Sequence, residues 1–343
     1  MLYVLIAILL FGILIFIHEL GHYIFARIFH VTINEFSIGM GPKLISIKSK
    51  KTGIAYSVRL LPIGGFVSMV GEDEESDDPN ALNRKPVWQR IIITAAGSLS
   101  NILLGVIVVF VTVVSSKYLL TTTVADFREN AVSVNYGLQA GDTIVSVGPR
   151  NIHIADDLSI AISRYADKPI DVAIIRDGKK TVLKNVVFPT QENQGVVFGT
   201  PDFYVYSTDK TFGGVIKNTF YSSVAKIRLI YDSLYDLISG KYGFTALSGP
   251  VGVTETLANA AKEKDYSYLA YLFEVIAMNL GVMNLLPIPA LDGGRLLFML
   301  IELITKKRVP PKAEGIVHFI GIIILLAFMF AVTCKDIIFL IRK

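Results

Sequence analysis

The sequence predicts an α-helical membrane protein of about four transmembrane helices, with a β-rich module inserted between the second and the third. Three observations carry that expectation. The 343-residue chain is 52% hydrophobic and 18% charged, against about 45–50% and about 25% in an ordinary soluble domain. Four separate stretches are apolar enough to cross a bilayer, which takes about 20 residues. The longest connection between them carries strand and turn chemistry. The mean hydropathy of +0.54 excludes disorder, which needs the opposite composition. A net charge of +4 without a long basic, aromatic-interleaved tract argues against a nucleic-acid partner. The single cysteine, Cys334, cannot form an intrachain disulfide, and any zinc site is not built from thiolates.

The first stretch, Met1 to Ile17, has no Asp, Glu, Lys or Arg, and its apolar pattern runs on to Phe29. It lacks the basic start and small-residue cleavage site of a secretory signal. The 28–90 connection carries Lys43, Lys48, Lys50, Lys51, Arg59, Arg84, Lys85 and Arg90, which the positive-inside rule places in the cytoplasm. Its acidic run, Glu72, Asp73, Glu74, Glu75, Asp77 and Asp78, reads as a solvated loop. Ile91 to Ser116 is the second charge-free stretch. Residues 1–116 are thus an N-terminal membrane part.

Residues 117–200 read as an extracytoplasmic module. Gly137-Leu-Gln-Ala-Gly-Asp142 is turn chemistry before the strand-like Thr143 to Val147, and Asp156 to Tyr165 has helical spacing. Ile170 to Arg176, Asp177-Gly178 and Thr181 to Phe188 make a hairpin signal. Residues 201–265 are a linker in which Phe220, Val224, Ile227, Tyr231, Leu234 and Ile238 share one helical face. That face suits either the outer leaflet or packing on the bundle. Residues 266–343 form the C-terminal membrane part. Its first stretch, Tyr266 to Ile301, is interrupted by Glu274, Asp292 and Arg295; its second, Gly315 to Cys334, has His318 as its most polar member. Lys306, Lys307, Arg308 and Lys312 place the connection between them in the cytoplasm, so both termini are expected outside.

His18-Glu19-Leu20-Gly21-His22 fits the H-E-x-x-H pattern. Positions i and i+4 of a helix share a face, so both imidazoles can reach one ion. Glu19, beside the first of them, is placed to take a proton from water and pass it to a leaving amine. Such a polar trio in an apolar span is costly unless it is paired or binds something. A catalytic zinc needs a third protein ligand and an open position. The metzincin continuation fails, because Phe25 and Ile28 stand where it needs glycine and histidine. Of the acids in the third stretch, Asp292 has the better setting. It lies between Asn284-Leu-Leu-Pro287-Ile-Pro289-Ala-Leu and Gly293-Gly294, and irregular backbone at membrane depth is tolerated where it lines a site. Glu274 reads as an interior, hydrogen-bonded residue.

FIHELGHYIFAR (16–27) together with NLLPIPALDGG (284–294) resembles the site-2 protease family of zinc intramembrane metalloproteases. FSIGMGPKL (36–44), LPIGGFVSMVGE (61–72), AAGSLSN (95–101) and SGPVGV (248–253) are similar to its bacterial, RseP-like (regulator of sigma E protease) branch, and GLQAGDTIVSVG (137–148) resembles a PDZ domain. The resemblance implies a Zn2+ cofactor held by His18, His22 and Asp292, with Glu19 as general base. It implies substrate contacts from Asn284, Asn101, Gly64 and Gly65, the last two in a membrane-associated β-hairpin. The implied partners are the lipid bilayer, single-pass membrane substrates of the anti-sigma factor or remnant signal peptide type, and peptide ends at the PDZ-like domain. The implied location is the bacterial inner membrane. The chain departs from the family in having Ser98 where proline is common and room for one PDZ domain only. A zinc transporter and a catalytically silent PDZ-bearing scaffold are the other classes left open.

Overall fold

The computed structural model describes residues 2–72, 74–193, 196–241, 243 and 247–342. Helix α1 (Leu2–Ile28) leads into strands β1 (Ile33–Lys48) and β2 (Ala55–Met69), then helix α2 (Val87–Ser115). A β-rich run follows: β3 (Leu119–Phe127), β4 (Thr143–Val147), β5 (Arg150–Asn151), helix α3 (Ala155–Tyr165), β6 (Ile170–Arg176), β7 (Lys179–Val186), β8 (Thr190–Asn193), β9 (Val196–Gly199) and β10 (Phe203–Thr208). Five helices complete the chain: α4 (Phe212–Ile238), α5 (Pro250–Lys262), α6 (Tyr266–Leu285), α7 (Asp292–Thr305) and α8 (Pro311–Arg342). The chain divides into two compact units, Met1–Gly105 with Ser248–Lys343, and Val106–Leu247.

Among the described residues, four helices are long and apolar enough to cross a membrane: Tyr3–Ile28, Val87–Ser115, Tyr266–Leu285 and Lys312–Ile341. The third apolar stretch of the sequence is not one helix. It ends at Leu285, and α7 starts afresh at Asp292. Pro287 and Pro289 each lack a helix donor and disfavour the helical conformation of the residue before them. Leu286 accordingly turns extended, at φ −65° and ψ 145°.

In the first unit, β1 and β2 form a doubled sheet rather than a simple hairpin over 61–69. Phe36 faces Val67 on one side and Tyr56 on the other, while Ser46 faces Ser57. Segment 33–38 therefore lies between 65–69 and 55–58, with 43–48 beyond. The bend within β2 turns on Gly64, at φ +91°, where a side chain would be strained. Ile33, Phe36, Val67 and Met69 pack with Ala26 and Ile93. Met40, Leu44, Ile45, Ile47 and Leu60 stay exposed, unlike the outer face of a water-bathed sheet. Glu35 bridges Arg59 at 2.9 Å and Lys43 at 2.8 Å. Burial alone would raise its carboxyl, but the two cations hold it down at about 2. The acidic run is only partly the solvated loop expected. Glu74, Glu75 and Asp77 are exposed, but Glu72 pairs with Arg295 of α7 at 2.7 Å, and Asp73 lies outside the described residues.

In the second unit, the strands order as β10-β3-β4-β6-β7, with β5 beside β4. The neighbouring pairs are antiparallel. The expected hairpin turn is present, with Asp177 at φ 49° and Gly178 at φ 75°. The core includes Val124, Leu138, Ile144, Ile162, Ile174 and Phe188. The GLQAGD turn is organised by Asp142. Fully buried, it accepts from the Gln139 amide at 2.8 Å and pairs with Arg176 at 2.6 Å. Helix α4 packs its polar face on α3, where Arg164 grips both oxygens of Asp236 at 2.5 and 3.0 Å and Arg150 pairs with Asp232. Its other face leaves Phe212, Phe220, Tyr235 and Ile238 exposed.

Candidate metal centre

His18 and His22 lie one turn apart on α1, with rings nearly perpendicular at 85° and Nε2 atoms 3.2 Å apart. Asp292 opens α7, and its Oδ2 lies 3.3 Å from His18 Nε2 and 3.4 Å from His22 Nε2. Among the described residues, this is the group of histidine, cysteine and acidic side chains whose ligand atoms converge within 4.8 Å. A tetrahedral zinc with bonds of about 2.0–2.1 Å sets neighbouring ligands roughly 3.3 Å apart. The triangle observed therefore fits the edges of a zinc tetrahedron, and two neutral imidazoles with one carboxylate suit that ion.

Each of the three side chains is set by its surroundings. His22 Nδ1 donates to the Ile93 carbonyl at 2.8 Å, which fixes the tautomer and turns the Nε2 lone pair toward the site. A Cβ at Gly97 would stand 2.3 Å from His22 Nε2, and one at Gly21 2.4 Å from the Ala96 carbonyl. Only glycines let α1 and α2 approach this closely. Asp292 is presented by the broken segment between α6 and α7. A Cβ at Gly293 would meet the Leu286 carbonyl at 2.0 Å, so the turn folds directly onto the start of α7. The Ala290 amide donates to His318 Nδ1 of α8 at 3.1 Å, and Ser98 Oγ of α2 donates to Asp292 Oδ2 at 3.0 Å.

Glu19 points toward β2 and accepts the Val67 backbone N–H. A Cβ at Gly65 would lie 3.3 Å from Glu19 Cγ and 2.9 Å from the Ser37 carbonyl, so the strand backbone comes right up to the acid. Asn284 sits half-buried on the last turn of α6. Glu274 is buried on the same helix and stands outside the converging group. Asn101 is fully buried, with its amide nitrogen 3.5 Å from His18 Nδ1. Ser98 and His318 carry contacts that the sequence reading did not assign. The signals available were one of several hydroxyls in an apolar helix and one imidazole in a span.

The sequence profile of peptidase family M50 matches residues 6–328. The chain belongs to this family, the site-2 proteases. A Clostridium acetobutylicum protein provisionally named a zinc metalloprotease is 37% identical to it, over 98% of this chain and 97% of its own length. The regulator of sigma-W protease RasP of Bacillus subtilis is 30% identical, over 96% of this chain and 97% of its own. The zinc metalloprotease RasP of Geobacillus kaustophilus is 29% identical, with 96% of each chain covered. This M50 peptidase is a zinc metalloprotease, and Zn2+ is its metal. An enzyme thereby replaces the transporter and the silent scaffold as the class of this chain.

Proposed function

We propose that this M50 peptidase hydrolyses peptide bonds in or beside the spans of single-pass membrane proteins, with zinc held by His18, His22 and Asp292. One observation carries the reading: three ligand atoms converge at zinc spacing, two from an apolar helix and one from a break between helices. When bound, zinc supplies a Lewis acid that polarises a carbonyl and acidifies water. Glu19 is the general base. Its carboxylate receives the water's proton and hands it to the leaving amine. A membrane helix hides its peptide groups in internal hydrogen bonds and must be drawn out before cleavage. The Gly64-Gly65 segment of β2, membrane-associated and brought close to Glu19, offers an edge on which an extended substrate can pair. Asn284 is placed to donate to the oxygen that gains charge.

The basic loops favour a cytoplasmic side at 28–90 and 304–314. That leaves residues 117–265 outside the inner membrane of a bacterium. We read residues 117–200 as a PDZ-like domain able to hold peptide ends, from the antiparallel sheet, the helix α3 and the GLQAGD turn. The substrates are of the anti-sigma factor or remnant signal peptide type, in keeping with the relative named for sigma-W regulation. The test is Glu19→Gln on a panel of short single-span substrates, with zinc measured in parallel. Retained zinc with turnover lowered roughly 10²–10⁴-fold is expected. Normal turnover by the purified variant overturns the role.

A further inference from the structure

The groups that back the three proposed ligands from outside include four from one helix. α2 presents Ile93, Gly97 and Asn101 at i, i+4 and i+8, a single face, with Ser98 beside Gly97. The Ile93 carbonyl takes the His22 Nδ1 proton, and Gly97 leaves room for the ring. Ser98 reaches Asp292 Oδ2, and Asn101 reaches His18. Ser98 and Asn101 are both 0% exposed. A polar side chain buried in an apolar helix is costly unless its bonds are made.

Asn101 shows what those bonds are for. Its Oδ1 is buried with no hydrogen-bond partner, while its Nδ2 faces His18 Nδ1. When His18 binds a metal through Nε2, Nδ1 carries the ring proton. A proton directed at an amide N–H is repelled. Turning the amide by 180° exchanges its two ends, puts Oδ1 on the Nδ1 proton and removes the orphaned acceptor. Ser98 acts on the other side. Its hydroxyl donates to the same carboxylate oxygen that faces both imidazoles, which fixes the rotation of the Asp292 carboxylate.

We infer that α2 is the outer shell of the zinc site, with Ser98 and Asn101 as positioning residues that select Asp292 Oδ2 and His18 Nε2 as the ligand atoms. The inference rests on the ligand set proposed above. It assigns metal affinity and coordination geometry to two side chains that touch neither zinc nor substrate.

The test uses the full chain in detergent, loaded with zinc for chelator competition and with cobalt for visible absorption. Ser98→Ala and Asn101→Leu are expected to bind zinc on the order of 10- to 100-fold more weakly and to shift the cobalt spectrum. The thermal melt of the metal-free form should not move. Ser98→Thr and Asn101→Asp restore the donor and the acceptor, and should bind within a few-fold of the parent. Should Ser98→Ala fail to fold, Ser98→Cys, close in size but a weak donor, carries the same expectation. Wild-type affinity and an unchanged spectrum in Ser98→Ala and Asn101→Leu would overturn the inference. So would an Asn101→Asp as weak as Asn101→Leu. Failure of the ligand set itself reads differently: His18→Ala, His22→Ala or Asp292→Ala would still hold zinc as the parent does.

Discussion

The two arms of the candidate metal centre are built by opposite means. α1 brings His18 and His22 together by helical periodicity, within five consecutive residues of one regular helix. The other arm has no such regularity. It descends from α6, breaks at Leu286, and presents Asp292 only because remote segments hold the break in shape. Gly293 lies against the Leu286 carbonyl, Pro289 against Gly321 of α8, and the Ala290 amide on His318. Ala290 itself stands at φ 80°, a conformation that costs an alanine of order 1–3 kcal/mol and persists only when its surroundings over-determine it. One arm is a single continuous turn of helix, and the other is distributed over three segments of the chain. Substitutions on the exposed face of α1 should therefore be tolerated, and those along the break felt.

The largest contrast is expected from Gly293→Ala. Its new Cβ would meet a backbone oxygen at 2.0 Å, and no side-chain rotation relieves that. Zinc content and turnover should both fall to the level of Asp292→Ala, while Ile24→Ala on the exposed face of α1, 43% accessible, changes neither. Full zinc in Gly293→Ala, by elemental analysis, would erase the distinction between the arms.

A smaller effect is expected at His318. Leucine there leaves the half-buried Ala290 N–H without its acceptor, a loss of about 1–3 kcal/mol. Turnover should drop about ten-fold, since 1.4 kcal/mol is a factor of ten, with a lesser loss of zinc. His318→Asn, whose Oδ1 can stand in for Nδ1, should recover part of the activity. Equal behaviour of the leucine and asparagine variants would show that α8 does not steady the loop through this bond.

The smallest effect concerns the sheet beside the first arm. Glu35, despite its burial, is held at about 2 by Lys43 and Arg59, against an ordinary 4.5. A lowered carboxyl contributes its full stability above the unfolded value and loses it as pH falls through the folded one. Protection of β1 and β2 amides from hydrogen exchange should thus decline from pH 4.5 toward 2, and Glu35→Gln should flatten that decline. Zinc content at neutral pH should be unchanged in the same variant, since Glu35 stands outside the converging group.

The contrast also explains what could be read from the residues alone. The H-E-x-x-H turn was legible because its geometry is local: helix pitch alone sets the two imidazoles side by side. Asp292 was legible because prolines and glycines flag a break at membrane depth. The four spans follow from length and hydropathy. The doubled path of β1 and β2 was not legible, since Phe36 has strand neighbours on both sides from opposite ends of β2, and such register is non-local. Nor was the neighbour of Asn101 legible, because only the packing of α2 on α1 sets its amide beside His18 Nδ1. The same holds for Glu72, which the charge run hid among solvated acids and the fold gave to Arg295.

The glycines at 21 and 97 have a stereochemical consequence. They leave so little space between α1 and α2 that no solvent layer fits behind the His22 ring. In the proposed mechanism the α2 side of that ring is thereby closed to water and to an incoming polypeptide alike. Two absent methyl groups thus seal one wall of the candidate centre.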